Sequence, residues 1–342
     1  MRRAPMMQID QQPSPQEPSR QEPSRQEPSP QEPSPRAPSP GTDRPPAQTR
    51  TADTENFPVA SLLIARDLRP AVRAFYAVAR AADDIADDAS LSEAEKLRLL
   101  NGIDAALADR ADTGTEIGRP REDSIETAAL AAAARAGRIL ADRDVPTVHI
   151  ARLLQAFRRD AVRPRTADWA ELMAYCADSA NPVGRFLLDL HGESGAHHPA
   201  SDALCTALQI LNHLQDCGDD YRELDRVYLP ADWLAEAGVA PGDLAASRST
   251  PGLRRVIDRC LARVTDLLTL ARPLPLRLRS ARLALETAVV LALADALARR
   301  LAVSDPLAER VQVPKPAMLG HALIAVSRCL WQRCIPARDV AA

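Results

Sequence analysis

The stretch from residue 75 to residue 88, FYAVARAADDIADD, carries a stripe of charged side chains at helical spacing. An i, i+3, i+4, i+7 spacing puts side chains on one face of an α-helix. Four residues have this spacing: Arg80, Asp83, Asp84 and Asp87. Like charges four residues apart repel, and a divalent cation removes that repulsion. Mg²⁺ suits such a site because it prefers oxygen ligands. The stretch therefore predicts a helix with a metal-binding face, and a merely solvated acidic face is the alternative.

A second stretch, residues 209 to 220 (QILNHLQDCGDD), has the same character. Asn212, Asp216 and Asp220 are spaced four and four, so they share one helical face. Asn supplies a neutral oxygen and the two Asp supply charge. Gly218 inside this helix costs about 1 kcal/mol relative to Ala, which predicts a local break or a close approach there. Facing each other across a helical bundle, the two stripes would form an acidic pocket suited to metal and diphosphate.

The composition around these stretches predicts an all-α protein. Ala and Leu dominate, hydrophobic residues make up 46%, and only 13 of the 342 residues are Gly. Helices are predicted over 68–88, 92–108, 125–140, 145–159, 166–180, 183–190, 200–221, 251–270, 276–301 and 317–333. Asn181-Pro182 is predicted to interrupt the helical run, and 109–123 and 238–250 are predicted loops.

The first 50 residues differ from the rest of the chain. They contain the five-residue repeat QEPSR/QEPSP and almost no apolar side chains, so they cannot bury enough surface to fold. We interpret 1–50 as a disordered Pro/Gln/Ser-rich tail and 51–342 as the helical domain; a polyproline II ligand is the alternative role for the tail.

Partners and compartment follow from charge and hydropathy. The formal charge of −3 argues against a nucleic-acid partner. The start of the chain lacks the apolar region of a signal peptide, and no run is long enough for a membrane span. The six cysteines include no CxxC pair, so we expect free thiols in a cytoplasmic protein.

Three segments resemble the signatures of the squalene and phytoene synthase family, with similarity from about residue 55 to about residue 301. Residues 75–84 resemble its YAVxRxxDD signature, and residues 216–230, DCGDDYRELDRVYLP, resemble its DxxxDxxxxRxYLP signature. Tyr175-Cys176, followed by Asn181 to Gly184, falls where the family has YCxxxAxxVG. The resemblance implies an isoprenoid-synthase helical bundle with a central active-site cavity.

The resemblance also implies roles for individual residues. Magnesium would be held by Asp83, Asp84, Asp87, Asn212, Asp216 and Asp220, and the catalytic residues among these would be Asp83, Asp87, Asp216 and Asp220. Arg80 and Arg226 would contact diphosphate oxygens, with ordinary ion pairs as the alternative. Tyr76, Gln209 and Tyr228 would line the pocket, with simple packing as the alternative for the tyrosines. The six histidines show no metal-ligand spacing and receive no role.

Two departures narrow the resemblance to the bacterial hydroxysqualene synthases of hopanoid pathways. Gln215 stands where most members have Arg, and Asn56-Phe57 stands where Ser-Phe is usual. Asn56 and Phe57 are then implied to bind substrate. The implied reaction ionises presqualene diphosphate, rearranges the carbocation and adds water, with no need for NADPH. The alternatives are a presqualene diphosphate, squalene or phytoene synthase that joins two prenyl diphosphates, and a non-catalytic scaffold with the same fold.

The amphipathic stretch 319–333, with Arg328 and Arg333, admits two interpretations. It could lie on a bilayer, which would make the protein peripheral to the inner membrane, since the implied substrate and product are lipids. The preferred interpretation is a closing helix of the bundle. The sequence leaves the oligomeric state open.

Overall fold

The computed structural model describes residues 63–108, 124–162 and 165–334, and this part of the chain is built from helices. The helices are α1 (Arg69–Asp87), α2 (Glu93–Ala108), α3 (Ile125–Ala141), α4 (Val148–Val162), α5 (Trp169–Ser179), α6 (Asn181–Leu190), α7 (His198–Leu224), α8 (Ala231–Glu236), α9 (Pro251–Ala271), α10 (Leu274–Arg277), α11 (Ala281–Val303) and α12 (Lys315–Cys334). Within these ranges, the β-type pairing is one isolated bridge between Arg165 and Val227. The all-α prediction is confirmed.

The predicted helices are present, with one predicted range divided and two short helical segments that were not predicted. The range 276–301 is divided, because α10 ends at Arg277 and the Ser280 hydroxyl then caps α11 by accepting from the Leu283 amide. The predicted loop 238–250 contains a short 3₁₀ turn, Pro241–Ala245, and α8 was not predicted. The predicted tail 1–50 and the predicted loop 109–123 lie outside the described residues.

The helical run breaks between α5 and α6, as predicted from Asn181-Pro182. Pro182 sits in the first turn of α6, where its missing amide hydrogen would have no partner in any case. The Asn181 side-chain oxygen accepts from the Thr206 hydroxyl at 2.9 Å, which ties α6 to α7. A Cβ on Gly184 would lie 2.4 Å from Ser201 Oγ and 2.6 Å from Cys205 Sγ. This segment therefore sets the close approach of α6 and α7.

The buried apolar side chains form two large clusters. One lies among α1, α2, α3, α4 and α6, where Phe75 stacks on Phe186 with ring centroids 4.1 Å apart. The other is centred on α5, α7, α9 and α11. The two clusters are joined because α4 packs on α1, α5 and α6, while α5 and α6 both pack on α7. The helices that carry the two acidic stripes, α1 and α7, thus belong to different clusters of one bundle.

Gly218 lies inside α7, which continues unbroken to Leu224. Of the two predicted explanations, the local break is wrong and the close approach is correct, since a Cβ there would lie 2.7 Å from Leu307 Cδ2. The six cysteines are free thiols, and burial raises the pKa of Cys176, Cys205, Cys217 and Cys260 to about 12. Among the described helices, none has the length and apolar character needed to span a bilayer.

Candidate active site

The first acidic stripe is organised around Arg80. Its guanidinium donates to Asp83 Oδ2 at 2.7 Å and to Asp84 Oδ1 at 2.5 Å, so the i+3 and i+4 neighbours share one cation. All three side chains are about a quarter to two-fifths exposed. The predicted shared face of α1 is confirmed, and part of the repulsion between its carboxylates is relieved by this internal arginine.

Arg226, in the segment 216–230, contacts the end of α1, which carries the first acidic stripe. This buried side chain donates to Asp87 Oδ1 at 2.5 Å and to the Ala86 carbonyl at 2.9 Å. Asp225, in the left-handed conformation with φ of 51°, ends α7 and turns the chain so that Arg226 points back toward α1. Burial works against the charged guanidinium, yet Tyr228, Asp87 and Asp160 outweigh it and raise the pKa of Arg226. The ends of the two acidic helices are therefore joined by one charged contact.

The second acidic stripe occupies one face of α7. Asn212, Asp216 and Asp220 are all half-buried, as the four-and-four spacing predicts. The carboxamide oxygen of Asn212 is buried, and no described atom gives it a hydrogen bond. A buried oxygen without a donor fits the ligand chemistry of a hard divalent cation. In the described part of the chain, no three His, Cys, Asp or Glu side chains converge closely enough to hold a metal ion by themselves.

Beside this charged contact lies a group that the sequence analysis missed. Asp160, on α4, accepts from the Tyr175 hydroxyl at 2.7 Å and from the Tyr228 hydroxyl at 3.1 Å. Burial raises the pKa of Asp160 to about 6, against the opposing effect of Arg226. No spacing signalled Asp160, because its partners are 15 and 68 residues away. Tyr228, which the resemblance implied would line the pocket, belongs to this network, and so does Tyr175.

An aromatic stack extends the network onto α7. His213 lies 3.7 Å from Tyr228, centroid to centroid, and 5.6 Å from Tyr175. The Gln209 side-chain amide donates to His213 Nε2 at 3.2 Å, so that nitrogen acts as an acceptor. Burial, and after it Arg226, lower the pKa of His213 to about 3, which keeps the ring neutral. The sequence analysis gave His213 no role, and the structure places Gln209, which the resemblance implied would line the pocket, next to it.

Four other residues were singled out by the sequence. Tyr76 is half-buried on α1, and Asn56 and Phe57 lie outside the described residues. Gln215 is buried and donates to the Val311 carbonyl at 2.5 Å. In this chain the side chain at position 215 therefore helps to hold the segment between α11 and α12 against α7.

The structure is thus an all-α bundle in which a buried arginine joins two acidic helix faces. The chain belongs to the squalene/phytoene synthase family, whose model matches residues 50–317. It is an enzyme of that family, whose members use prenyl diphosphates and generally a divalent metal.

The similar proteins are consistent in name and in fold. The chain is 44% identical to the hydroxysqualene synthase of Rhodopseudomonas palustris, over 77% of this chain and 85% of that protein. It is 41% identical to the hydroxysqualene synthase of Zymomonas mobilis, over 81% and 89%. A squalene synthase structure from Alicyclobacillus acidocaldarius aligns with a TM-score of 0.58 at 31% identity, covering 70% of this chain and 85% of that one. The isoprenoid-synthase bundle is thereby confirmed, and the scaffold alternative finds no support.

Proposed function

We propose that this protein converts presqualene diphosphate to hydroxysqualene, releasing diphosphate and adding one water molecule. The observation that carries the proposal is the 44% identity, over most of both chains, to a protein named hydroxysqualene synthase. The site supports it, because the chain carries both acidic stripes together with Arg80 and Arg226, and Arg226 joins the end of α1 to the turn after α7. A synthase that joins two prenyl diphosphates is the competing reaction.

The metal in this proposal is Mg²⁺, held by oxygen ligands on α1 and α7. The residues that would hold it are Asp83, Asp84, Asp87, Asn212, Asp216 and Asp220. When bound, the metal supplies positive charge to the departing diphosphate. Arg80 and Arg226 already lie at the same carboxylates and can turn donors toward phosphate oxygens, which Arg binds well. The protein thus stabilises charge that develops as the C–O bond breaks.

The carbocation left behind would lie in a central cavity against the aromatic stack. Asp160 and Tyr228 keep some accessible surface, yet burial strongly raises their pKa values. Both observations are expected of side chains that line an internal cavity. The rings of Tyr175, Tyr228 and neutral His213 present π faces, which attract a cation. Apolar walls around them would delay the attack of water until rearrangement is complete.

The test is a product analysis with purified protein, presqualene diphosphate and Mg²⁺, without NADPH. The proposal expects hydroxysqualene by mass spectrometry and one diphosphate per turnover. Incorporation of oxygen from ¹⁸O-labelled water identifies the source of the hydroxyl. Consumption of farnesyl diphosphate alone, with presqualene diphosphate left intact, would overturn the proposal in favour of a prenyl-joining synthase.

We also propose that α12 rests on an anionic lipid surface. Its buried side is small, and its exposed apolar side chains, each 46 to 67% accessible, are Leu319, Leu323, Ile324, Leu330 and Trp331. The helix contains Lys315, Arg328 and Arg333 but no acidic residue. It also packs on α11 and α10, in keeping with the preferred interpretation of a closing helix. A basic helix with an exposed apolar face suits the headgroup region of a membrane.

Vesicle sedimentation tests the membrane contact. The wild-type protein is expected to sediment with phosphatidylglycerol vesicles and much less with phosphatidylcholine vesicles. Leu319→Glu with Leu323→Glu should abolish sedimentation, whereas Val148→Glu, at another exposed apolar position on α4, should leave it intact. Equal sedimentation of both variants, or none by the wild type, would contradict the contact.

A further inference from the structure

Capture of a carbocation by water leaves a proton that some group must accept. The water oxygen forms the new C–O bond, and one O–H bond gives its electrons back to oxygen as the proton departs. The carboxylates of the first stripe are poorly suited to accept it, because Arg80 holds Asp83 and Asp84 and Arg226 holds Asp87. An arginine that pairs with a carboxylate already occupies the oxygen that would take the proton.

Asp160 has a different environment. From the described residues, Asp160 accepts hydrogen bonds from two neutral hydroxyl groups, those of Tyr175 and Tyr228. It comes from α4, between the cluster of α1 and the cluster of α7, and Arg226 and Asp87 both act on it through space. Within the described ranges, Asp160 is thus close to the charged end of the site and forms none of its salt bridges.

We propose that Asp160, acting through the hydroxyl of Tyr228, accepts the proton of the water molecule that captures the carbocation. Tyr228 Oη takes the proton from water while its own proton passes to Asp160 Oδ1. The pair then returns the proton to solvent after product release. This inference rests on the proposed function, since it needs a water-adding reaction.

The geometry favours Tyr228 over Tyr175 as the relay. Tyr175 is only 5% exposed, whereas Tyr228 is half-buried and keeps surface that a small molecule can touch. His213 stacks on Tyr228 and fixes the plane of its ring. Tyr175 donates to the other oxygen of Asp160, so it orients the carboxylate rather than receiving the proton. The groups facing Asp160 are these two tyrosines, Arg226 and Asp87.

The pKa values of Asp160 and Tyr228 suit a relay that accepts a proton from water. Burial raises its pKa to about 6, closer to neutral pH than that of an ordinary aspartate, so it is a stronger base yet still ionised at pH 7. The phenol of Tyr228 is kept protonated at neutral pH because burial and Asp160 raise its pKa well above 10.0. The resting state therefore has the proton on the tyrosine and the negative charge on Asp160, which a relay requires.

The experiment measures which products form as well as how fast they form. Wild type, Asp160→Asn, Asp160→Glu and Tyr228→Phe are given presqualene diphosphate and Mg²⁺, and diphosphate release is followed together with the triterpene products. Asp104→Asn is the matched control, because Asp104 pairs with Arg158 of α4 outside the network.

We expect Asp160→Asn and Tyr228→Phe to release diphosphate while the ratio of hydroxysqualene to proton-loss hydrocarbons falls roughly 100-fold, the usual scale of general-base catalysis. Asp160→Glu should restore part of the ratio, and Asp104→Asn should match the wild type. An unchanged product ratio in folded Asp160→Asn would overturn the inference, even if its rate fell. Should that variant fail to fold, an unchanged ratio in Tyr228→Phe would overturn it. A wild type that forms no hydroxysqualene would overturn the proposed function itself, and the inference with it.

Discussion

Arg226 donates to Asp87 at 2.5 Å across 139 positions of the chain, and this contact joins the end of α1 to the turn after α7. The same guanidinium also holds the Ala86 carbonyl, so it fixes both the side chain and the backbone at the end of the first acidic helix. Since Arg226 is buried and Asp87 is about a third exposed, the contact links the interior of the bundle to the open face of the site.

Arg226→Ala should therefore damage both activity and stability. The change leaves Asp87 without its cation, which we expect to lower the free energy of unfolding by about 2 kcal/mol, the value of a charged hydrogen bond. Turnover should fall further than stability explains, because the variant loses the donor proposed to bind diphosphate. Urea unfolding and steady-state kinetics measure the two effects. Arg222→Ala, which removes an exposed pair with Asp219, is the control and should change neither appreciably.

Asp160 should make stability depend on pH in a direction opposite to that of a salt-bridged aspartate. Its pKa is about 6 in the folded protein and near 3.8 when unfolded, so the folded state binds the proton more tightly. The stabilisation is complete below pH 4 and is lost as the pH rises through 6, a change of roughly 3 kcal/mol. The measurement is the unfolding free energy of the wild type minus that of Asp160→Asn, taken at pH 4 and at pH 7. The change in this difference between the two pH values isolates the contribution of the Asp160 carboxyl. A difference that grows toward pH 7 would contradict the assignment.

Gly184→Ala should destabilise the protein although alanine is the better helix former. Its Cβ would overlap Ser201 Oγ and Cys205 Sγ, both short side chains on α7, and such overpacking costs about 2 kcal/mol. Gly320→Ala is the matched control, because nothing lies within 4 Å of a Cβ there. It should stabilise α12 by about 0.5 to 1 kcal/mol. Thermal melts of the two variants should move in opposite directions, and a shift in the same direction would count against the close approach of α6 and α7.

Asn212→Leu should separate stability from metal dependence. The Asn212 carboxamide oxygen is buried without a donor, so its replacement by an apolar group of similar size should leave the metal-free protein as stable or slightly more stable. If this oxygen is a metal ligand, the Mg²⁺ concentration for half-maximal turnover should rise about 10-fold or more. Thermal melts without metal and a Mg²⁺ titration of turnover give the two readings. A strongly destabilised variant with normal Mg²⁺ dependence would show a structural role instead.

The helices and their acidic faces were predictable because they depend on neighbours along the chain. The spacing placed Arg80, Asp83 and Asp84 on one face of α1, where the structure shows them in contact. Ser92 caps α2 with Glu95 as the capping-box pattern indicates. The interruption at Asn181-Pro182 follows in the same way from the conformational limits of proline. In each case the controlling interaction spans a few residues, and helical geometry fixes the outcome.

The Asp160 network and the role of Gln215 were decided only by the tertiary structure. Asp160 meets Tyr228 across 68 positions, and Gln215 meets Val311 across 96, so neither contact follows from local spacing. They arise because α4, α5 and α7 pack at particular distances, which the side chains of both apolar clusters set together. By itself, the sequence determined an all-α chain with two acidic helix faces and its likeness to a family. Packing decided that Arg226 joins those faces and that a buried carboxylate lies beside them.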